Sequence, residues 1–234
     1  MSVRRGRLSR AGPAGRLLRF VGRALLAALA LAVLLVAVFR FVDPPLTYLM
    51  AREWWRLGAI ERDWVGLDDM AVYLSLSAAA AEDANFCRHR GFDLEGIRAA
   101  LADDSRLRGG SSISQQVAKN VFLWPGRSWL RKGLEAGFTL LIEGLWSKRR
   151  IMEVYLNVAE SGEGVFGAEA AARHYWGISA AELGPQRSAR LMAVLPDPRR
   201  RSPVSGTAFI ARRGAQIERG AATIRADGRG ACFL

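Results

Sequence analysis

The sequence has little cysteine and little histidine. Its 234 residues include two cysteines, Cys87 and Cys232, and two histidines, His89 and His174. Two cysteines are too few for a disulfide framework or a zinc ribbon, and two histidines leave little for a histidine-rich metal site. Their spacing does not decide whether Cys87 and Cys232 pair in an oxidising compartment, and we expect two free thiols.

Acidic residues are absent from the first 40 residues, which contain eight arginines. The chain has a formal net charge of +12, and the residues after position 40 contain 26 basic and 22 acidic side chains, so most of the excess belongs to the N-terminus. A basic excess indicates an anionic partner, such as nucleic acid, an acidic membrane face or a phosphate-bearing substrate. Half of the residues are hydrophobic, which excludes a disordered polyampholyte.

An uncharged apolar run from Ala24 to Phe39 follows seven of these arginines. Extended to residues 20–42, it is long enough for one spanning helix, which needs about 17 to 25 residues. The positive-inside rule keeps the arginines in the cytoplasm and places everything after Pro44 outside it. No small-residue cleavage site follows the run, which favours an uncleaved anchor over a signal peptide. The run also argues against a basic DNA-binding arm.

Helical spacing dominates the chain beyond the anchor, and strand signals are scarce. The pair Ser111–Ser112 and Ser128 are predicted to cap helix N-termini, and Ser179 and Glu182 predict a capping box that opens a helix through Leu195. The soluble part is therefore predicted to be mainly α with one domain. The predicted segments are a basic cytoplasmic tail (1–19), a transmembrane signal-anchor (20–42), a juxtamembrane segment (43–67), a globular domain (68–204), and a C-terminal helix and tail (205–234).

Two local clusters have residue types suited to chemistry. In the first, Glu82 and Asp83 follow five small residues, 77–81. A carboxylate with apolar walls has a raised pKa, which suits a general base; taken alone, the segment fits a helix end and a turn. In the second, 109–120, glycines and hydroxyls precede a helix, where free N–H groups can bind an anion. Its alternative is a mobile loop followed by a capped polar helix.

Two further clusters follow along the chain. Arg127, Arg131 and Glu135 are spaced to share one helix face, with Lys132 beside them, and such cations can hold a pyrophosphate. Composition alone favours a surface ion-pair ladder, which is worth about 0.3–0.5 kcal/mol per pair. In the last cluster, 148–157, apolar residues at helical spacing favour a role in the core.

In order and spacing, the four clusters resemble the motifs of glycosyltransferase family 51, the peptidoglycan glycosyltransferases. The motif E-D-x-x-F-x-x-H-x-G-x-D is matched at every fixed position, by Glu82, Asp83, Phe86, His89, Gly91 and Asp93. The motif G-G-S-T-I-T-Q-Q-x-x-K-N is matched from Gly109 to Asn120, with serine for threonine at positions 112 and 114. The motifs R-K-x-x-E and K-x-x-I-x-E-x-Y-L-N are matched by Arg131 to Glu135 and by Lys148 to Asn157. The resemblance covers about Ala71 to Pro203.

The resemblance implies a mainly α, lysozyme-like helical glycosyltransferase domain at 68–204, after a single N-terminal transmembrane helix. Since the chain ends at Leu234, there is no room for a transpeptidase domain, and the likeness is to monofunctional, membrane-anchored members. It implies an inverting polymerisation of lipid II with release of undecaprenyl pyrophosphate. The implied catalytic residues are Glu82, as general base, and Glu135. The implied substrate-binding residues are Asp83, Phe86, His89, Ser111, Ser112, Gln115, Lys119, Asn120, Arg127, Arg131 and Lys132.

The resemblance also implies a divalent cation, magnesium or manganese, for which Glu135 is the candidate ligand. The implied partners are lipid II, the growing glycan strand, inner-membrane lipid and the cell-wall synthesis machinery, with no nucleic acid. The implied location is the bacterial inner membrane, with the N-terminus cytoplasmic and the catalytic domain periplasmic. Leu123, Trp124, Trp129 and Leu130 are candidates either for insertion into the membrane interface or for core packing.

Two alternatives remain at this point. A lysozyme-like hydrolase or lytic transglycosylase is also α-rich with a catalytic glutamate, but it does not need the cations Arg127, Arg131 and Lys132. A non-enzymatic membrane adaptor would use its arginines to bind anionic lipid. An adaptor function of this kind does not explain Glu82 or the 109–120 cluster.

Overall fold

The computed structural model describes residues 13–94, 98, 111–126 and 128–234. Across these ranges the chain is mainly α, which confirms the predicted fold class. The helices are α1 (Pro13–Phe39), α2 (Tyr48–Leu57), α3 (Val72–Glu82), α4 (Ile113–Phe122), α5 (Trp129–Leu145), α6 (Lys148–Val158), α7 (Ala168–Trp176), α8 (Pro185–Val194) and α9 (Ala208–Ala226). The strands are β1 (Glu61–Arg62), β2 (Glu160–Gly162) and β3 (Val165–Phe166).

The three strands form one small sheet in the order β1-β3-β2. Strand β3 pairs parallel with β1, with Glu61 opposite Val165, and antiparallel with β2. The sheet leads directly into α7 through Gly167, which has a φ of 88°. A Cβ at this glycine would lie 2.8 Å from the carbonyl oxygen of Asn157, so only glycine allows the chain to pass so close to the end of α6.

Helix α3 lies at the centre of the domain, packed against α8 and α9. Its residues 74–79 are all buried, and they include the first three small residues of the 77–81 run, while Ala80 and Ala81 are partly buried. These small side chains allow close approach of α9, since a Cβ added at Gly220 would lie 3.2 Å from Cβ of Ala80. The close packing brings the end of α3, where Glu82 lies, against the C-terminal helix.

Helix α1 contains a candidate membrane span, Ala14–Phe39, which is long and apolar enough to cross a membrane by length and composition. It begins before the predicted anchor 20–42 and ends at Phe39, three residues before the predicted limit. Its last turn contacts the domain: the indole N–H of Trp146 donates to the carbonyl oxygen of Val36 at 2.7 Å. The guanidinium of Arg150 donates to the carbonyl oxygen of Phe39. The end of the apolar helix is therefore joined to α5 and α6.

Helix α2 is attached to the domain through a buried carboxylate. The Glu53 side chain is fully buried and accepts from Arg52, Arg56 and Arg199. Burial by itself raises the pKa of Glu53, but the hydrogen bonds from these three arginines outweigh it and lower the pKa to about 2. Arg199 also pairs with Glu160 of β2, so the juxtamembrane segment is bound to the sheet.

The predicted helix from Ser179 through Leu195 is interrupted. The capping box of Ser179 and Glu182 forms, but it opens only a 3-10 turn, Ala180–Glu182. Helix α8 then begins separately at Pro185. Proline disfavours helical backbone at the preceding residue and has no N–H to donate, whereas it is well suited to the first position of a helix. The predicted N-cap Ser128 is confirmed, and of the predicted pair Ser111–Ser112 it is Ser112 that caps α4.

The expectation of two free thiols is wrong, because Cys87 and Cys232 form a disulfide. Their Cα atoms lie 5.7 Å apart although the residues are 145 positions apart in the chain. The C-terminal tail folds back onto the turn after α3, where the buried ring of Phe233 packs 6.0 Å from that of Phe86. Only this return of the tail brings the two sulfurs together, and no local pattern in the sequence reports it.

We expect the disulfide to stabilise the fold, because it closes a long loop in the unfolded chain. Replacing both cysteines by serine is expected to lower the free energy of unfolding by about 3–5 kcal/mol. The measurement is the thermal midpoint of the detergent-solubilised protein with and without dithiothreitol. Reductant should lower the wild-type midpoint and leave that of the double variant unchanged. Equal midpoints for oxidised wild type and double variant would contradict the expectation.

Candidate active site

Glu82 is the last residue of α3, and its side chain is half-buried. One carboxylate oxygen, Oε2, accepts a hydrogen bond of 2.8 Å from the side-chain amide of Gln116. Burial raises the pKa of Glu82 above its usual value, and nearby Asp83 adds to the rise. The hydrogen bond from Gln116 and the charges of Arg213 and Lys119 offset part of the effect. The raised pKa is the property expected of a general base.

Asp83 joins the end of α3 to the start of α4. Its Oδ1 lies 2.8 Å from Nε2 of His89, and its Oδ2 accepts from the backbone N–H of Ile113 at 3.1 Å. The side chains of Asp83 and His89 are both nearly buried, and Phe86 beside them is buried in the core. These contacts hold Asp83, Phe86 and His89 in the turn that follows Glu82, which they support. Their assignment as substrate contacts stays a prediction.

Ser112 and Gln115 form the capping box at the start of α4. The hydroxyl of Ser112 also donates to the carbonyl oxygen of Gly91, so this helix start is bound to the turn that follows Glu82. The hydroxyl of Ser114 donates to Glu143 of α5. Ser111 is half-buried just before the cap. The glycines 109 and 110 of the same motif lie outside the described residues.

Three cations and one carboxylate lie together on α4 and α5. Glu135 is buried, and its two oxygens accept separately from Arg131, at 3.0 Å, and from Lys132. Lys119 faces this group: burial lowers the pKa of its ammonium, and the charge of Glu135 partly restores it. We call Lys119, Arg131, Lys132 and Glu135 the cationic cluster. Arg127, predicted to join them, lies outside the described residues.

A cavity of about 410 Å³ lies beside the cationic cluster. Its polar lining includes Lys119, Asn120 and Arg131, and its apolar lining includes Leu49, Leu123 and Trp124. We call it the cationic cavity. Since Leu49 belongs to the juxtamembrane helix α2, the cavity lies between the anchor region and the cations.

A second cavity, of about 350 Å³, opens on Glu82 from the side of the C-terminal helix. It is lined by residues 80–84 at the end of α3, by α9 and by Arg229 of the tail. We call it the α9 cavity. Glu82 therefore has access to a cavity while it interacts electrostatically with Lys119, which lines the cationic cavity.

The fourth motif, 148–157, packs in the core next to Glu82. Its apolar spacing predicted this core position. Ile151 and Tyr155 of α6 are buried, and Tyr155 lies near enough to Glu82 for that carboxylate to add to the rise that burial causes in the phenol pKa. The side-chain amide of Asn157 bonds with both the N–H and the carbonyl oxygen of Val65. Lys148 pairs with Glu143 at 2.7 Å.

The residues around Glu135 do not fit a magnesium or manganese site. Both of its oxygens are already used by Arg131 and Lys132. Within the described part of the chain, no three His, Cys, Asp or Glu side chains are grouped to hold a metal ion. A divalent cation needs several oxygen ligands, so no step of the reaction is assigned to one here.

Sequence reasoning missed two residues that contact or influence the base. Gln116 holds the Glu82 carboxylate, and it was detectable as the second glutamine of the motif at 109–120. Arg213, on α9, donates to the carbonyl oxygen of Ala81 and lowers the pKa of Glu82. No signal in the C-terminal sequence points to Arg213, because its role depends on the packing of α9 against α3.

Comparisons with known proteins agree with the motif pattern. A family model described as Transglycosylase matches residues 51–222. A biosynthetic peptidoglycan transglycosylase of Jannaschia sp. (strain CCS1) is 53% identical over 204 residues, covering 87% of this chain and 85% of the relative. One of Rhodospirillum centenum is 53% identical over 224 residues, covering 94% and 96%. One of Caulobacter vibrioides is 46% identical over 226 residues, covering 93% and 99%. The chain therefore belongs to the transglycosylase family of peptidoglycan biosynthesis.

Proposed function

We propose that the chain polymerises lipid II, a disaccharide–pentapeptide on undecaprenyl pyrophosphate, with Glu82 as the general base. Family membership makes it a peptidoglycan glycosyltransferase of cell-wall synthesis. The acceptor 4-hydroxyl oxygen attacks C1 of the donor sugar, and its proton passes to Glu82. The bond from C1 to the pyrophosphate breaks with inversion, and the lipid pyrophosphate leaves with the bonding electrons.

One observation carries this mechanism: a half-buried carboxylate of raised pKa lies within the electrostatic reach of the ammonium of Lys119. Glu82 opens on the α9 cavity and Lys119 on the cationic cavity. An inverting displacement needs the base on the acceptor side and positive charge on the leaving-group side. The placement of these two side chains supplies both.

The cationic cluster is the proposed site of the leaving pyrophosphate. Arg131 and Lys132 are held by Glu135, so their charges are in place before the substrate binds. Donors that are fixed before the reaction stabilise developing charge without reorganisation. In this proposal Glu135 acts by orienting the two cations rather than by touching the reacting atoms.

The apolar part of the cationic cavity supports a lipid-linked substrate. Leu49 and Trp124 line the same cavity as Lys119 and Arg131, so charge and apolar surface are available to one ligand. Trp129 and Leu130 at the start of α5 are exposed, Trp129 at 94%, whereas Leu123 is buried. We assign Trp129 and Leu130 to the membrane interface and Leu123 to the core.

Family membership decides against the two alternatives drawn from the sequence. The curated relatives are named as biosynthetic enzymes, which argues against a hydrolase or lytic enzyme. The match over 51–222 includes the Glu82 motif and the cationic cluster, which a membrane adaptor would not need. The 109–120 motif lies within the same match.

Two independent features support a periplasmic catalytic domain on a single-pass inner-membrane anchor. Arginines precede the apolar helix α1, which by the positive-inside rule keeps the N-terminus in the cytoplasm. The disulfide between Cys87 and Cys232 lies beyond that helix, and disulfides persist in the periplasm but are rare in the cytosol. Both features support the same proposed orientation.

The base assignment is tested with Glu82→Gln, which keeps the size and the polarity of the side chain but cannot accept the proton. Purified wild type should convert labelled lipid II into long glycan strands on a gel, and Glu82→Gln should make none. The wild-type rate should fall as the pH falls through the raised pKa of Glu82, because the protonated acid cannot act as a base. Polymer made by Glu82→Gln would remove Glu82 from this role, and cleavage of preformed sacculi would favour the hydrolase.

The leaving-group site is tested with Arg131→Ala. Turnover should fall by roughly 10²–10³-fold, because a fixed donor to developing charge is lost. The free energy of unfolding should fall by no more than about 2 kcal/mol, because Lys132 still pairs with Glu135. Arg187→Ala, at an exposed arginine of α8, serves as the matched control. Comparable losses of turnover and stability would make Arg131 a structural residue.

The orientation is tested with single cysteines in a variant whose two native cysteines are serine. A membrane-impermeant maleimide applied to cells with a permeabilised outer membrane should label Ala222→Cys, which is exposed on α9. It should label Ser2→Cys only after the inner membrane is broken. Labelling of Ser2→Cys in intact cells, without labelling of Ala222→Cys, would reverse the proposed orientation.

A further inference from the structure

The C-terminal segment holds the backbone on both sides of the Glu82–Asp83 pair. Arg213 of α9 donates to the carbonyl oxygen of Ala81 at 3.0 Å, and Arg229 of the tail donates to that of Ala84 at 3.4 Å. These two carbonyls immediately precede and immediately follow the pair. Two guanidinium groups from one segment therefore bracket the residue proposed as the base.

The end of a helix is a place where such donors have a physical effect. The last carbonyl groups of α3 lack partners within the helix, and the helix dipole places partial negative charge there. Glu82 adds a carboxylate at this same end. The charge of Arg213 offsets both, while its hydrogen bond to Ala81 fixes the last turn of α3.

The attachment of the tail makes Arg229 part of a fixed unit. The disulfide joins Cys232 to Cys87, and the guanidinium of Arg149 donates to the carbonyl oxygens of Phe233 and Leu234. The family match covers residues 51–222, so Arg229 and Cys232 lie beyond it, whereas Cys87 lies within it. Arg213 lies within that region but outside the four motifs.

We propose that Arg213 is a positioning residue for Glu82, and that Arg229 holds the other side of the same turn. The proposal rests on the proposed function, since it assigns a role relative to the base. Arg213 and Arg229 also line the α9 cavity on which Glu82 opens. Arg213 thus influences the Glu82 carboxylate in two ways. Its charge acts on the carboxylate directly, and its hydrogen bond to Ala81 fixes the backbone next to Glu82.

The charged groups around Glu82 predict the direction in which its pKa shifts when Arg213 is replaced. Burial is the largest influence and raises the pKa of Glu82, as does Asp83, while Gln116 lowers it by a hydrogen bond. The charged groups that lower it are Arg213 of α9 and Lys119 of α4. Tyr155 of α6 faces it as a neutral phenol, with its own pKa raised by burial and then by Glu82. Loss of the Arg213 charge therefore raises the pKa of Glu82 further.

The experiment compares Arg213→Ala, Arg213→Lys and the control Arg212→Ala in the full-length enzyme. Arg212 is the neighbouring residue on α9, is exposed, and forms none of the hydrogen bonds or ion pairs found among the described residues. Lipid II polymerisation is measured as kcat and KM over a pH series, and thermal midpoints are recorded for each protein. Glu82→Gln is measured in parallel.

Arg213→Ala is expected to lower kcat by roughly ten- to a hundredfold, since small misplacements of a catalytic group have effects of this size. KM should change less, and the acid limb of the pH profile should move to higher pH. Arg213→Lys should recover part of kcat and return the limb toward its wild-type position, because the charge is retained. Arg212→Ala should match wild type.

Three outcomes would overturn the proposal. Wild-type kcat and pH profile in Arg213→Ala, beside an inactive Glu82→Gln, would remove the positioning role and leave the proposed function intact. A loss of kcat with an unmoved acid limb and a lowered thermal midpoint would show that Arg213 only stabilises the fold. Polymerisation by Glu82→Gln would remove the base itself, and the role of Arg213 with it.

Discussion

The buried carboxylate of Asp83 is the interaction on which the rest of the active site depends. It accepts from the first N–H of α4 and contacts His89, and so it joins the end of α3, the turn after it and the start of α4. The neighbouring residue in the chain is Glu82, whose position follows from that of Asp83. Charge-assisted hydrogen bonds in a buried place are strong, and leaving one partner unpaired there is costly. The capping box of Ser112 and Gln115 then fixes the helix on which Lys119 lies.

The positions of the charged side chains in the domain matter more than its net charge. The residues after position 40 have a small excess of basic side chains, yet three cations surround Glu135 and two arginines bracket the turn at Glu82. Each set faces a carboxylate that is wholly or partly buried. Because burial strengthens electrostatic interactions, single charges such as those of Arg213 and Lys119 lower the pKa of Glu82 although the net charge of the domain is small.

The end of helix α1 and the C-terminal tail are both attached to the domain that contains the site. The end of α1 is held by Trp146 and Arg150, and the juxtamembrane helix α2 is held through Glu53. At the other end, the disulfide holds the tail against the turn after α3. A lipid-linked substrate cannot leave the bilayer, so an active site that acts on it has to be held at a defined place relative to the anchor. The anchor contacts supply that constraint, and the tail contacts stiffen the opposite side of the site.

The sequence by itself determined the helical class, the apolar anchor helix, the helix caps at Ser112 and Ser128 and the four motifs that identify the family. These features are local: periodicity, caps and motif spacing are all read within one segment of the chain. Tertiary structure alone decided which residues meet around Glu82. Arg213 reaches Ala81 across 132 positions and Cys87 pairs with Cys232 across 145. Such contacts depend on how α9 and the tail pack against α3, and packing between distant segments leaves no periodic trace in the sequence.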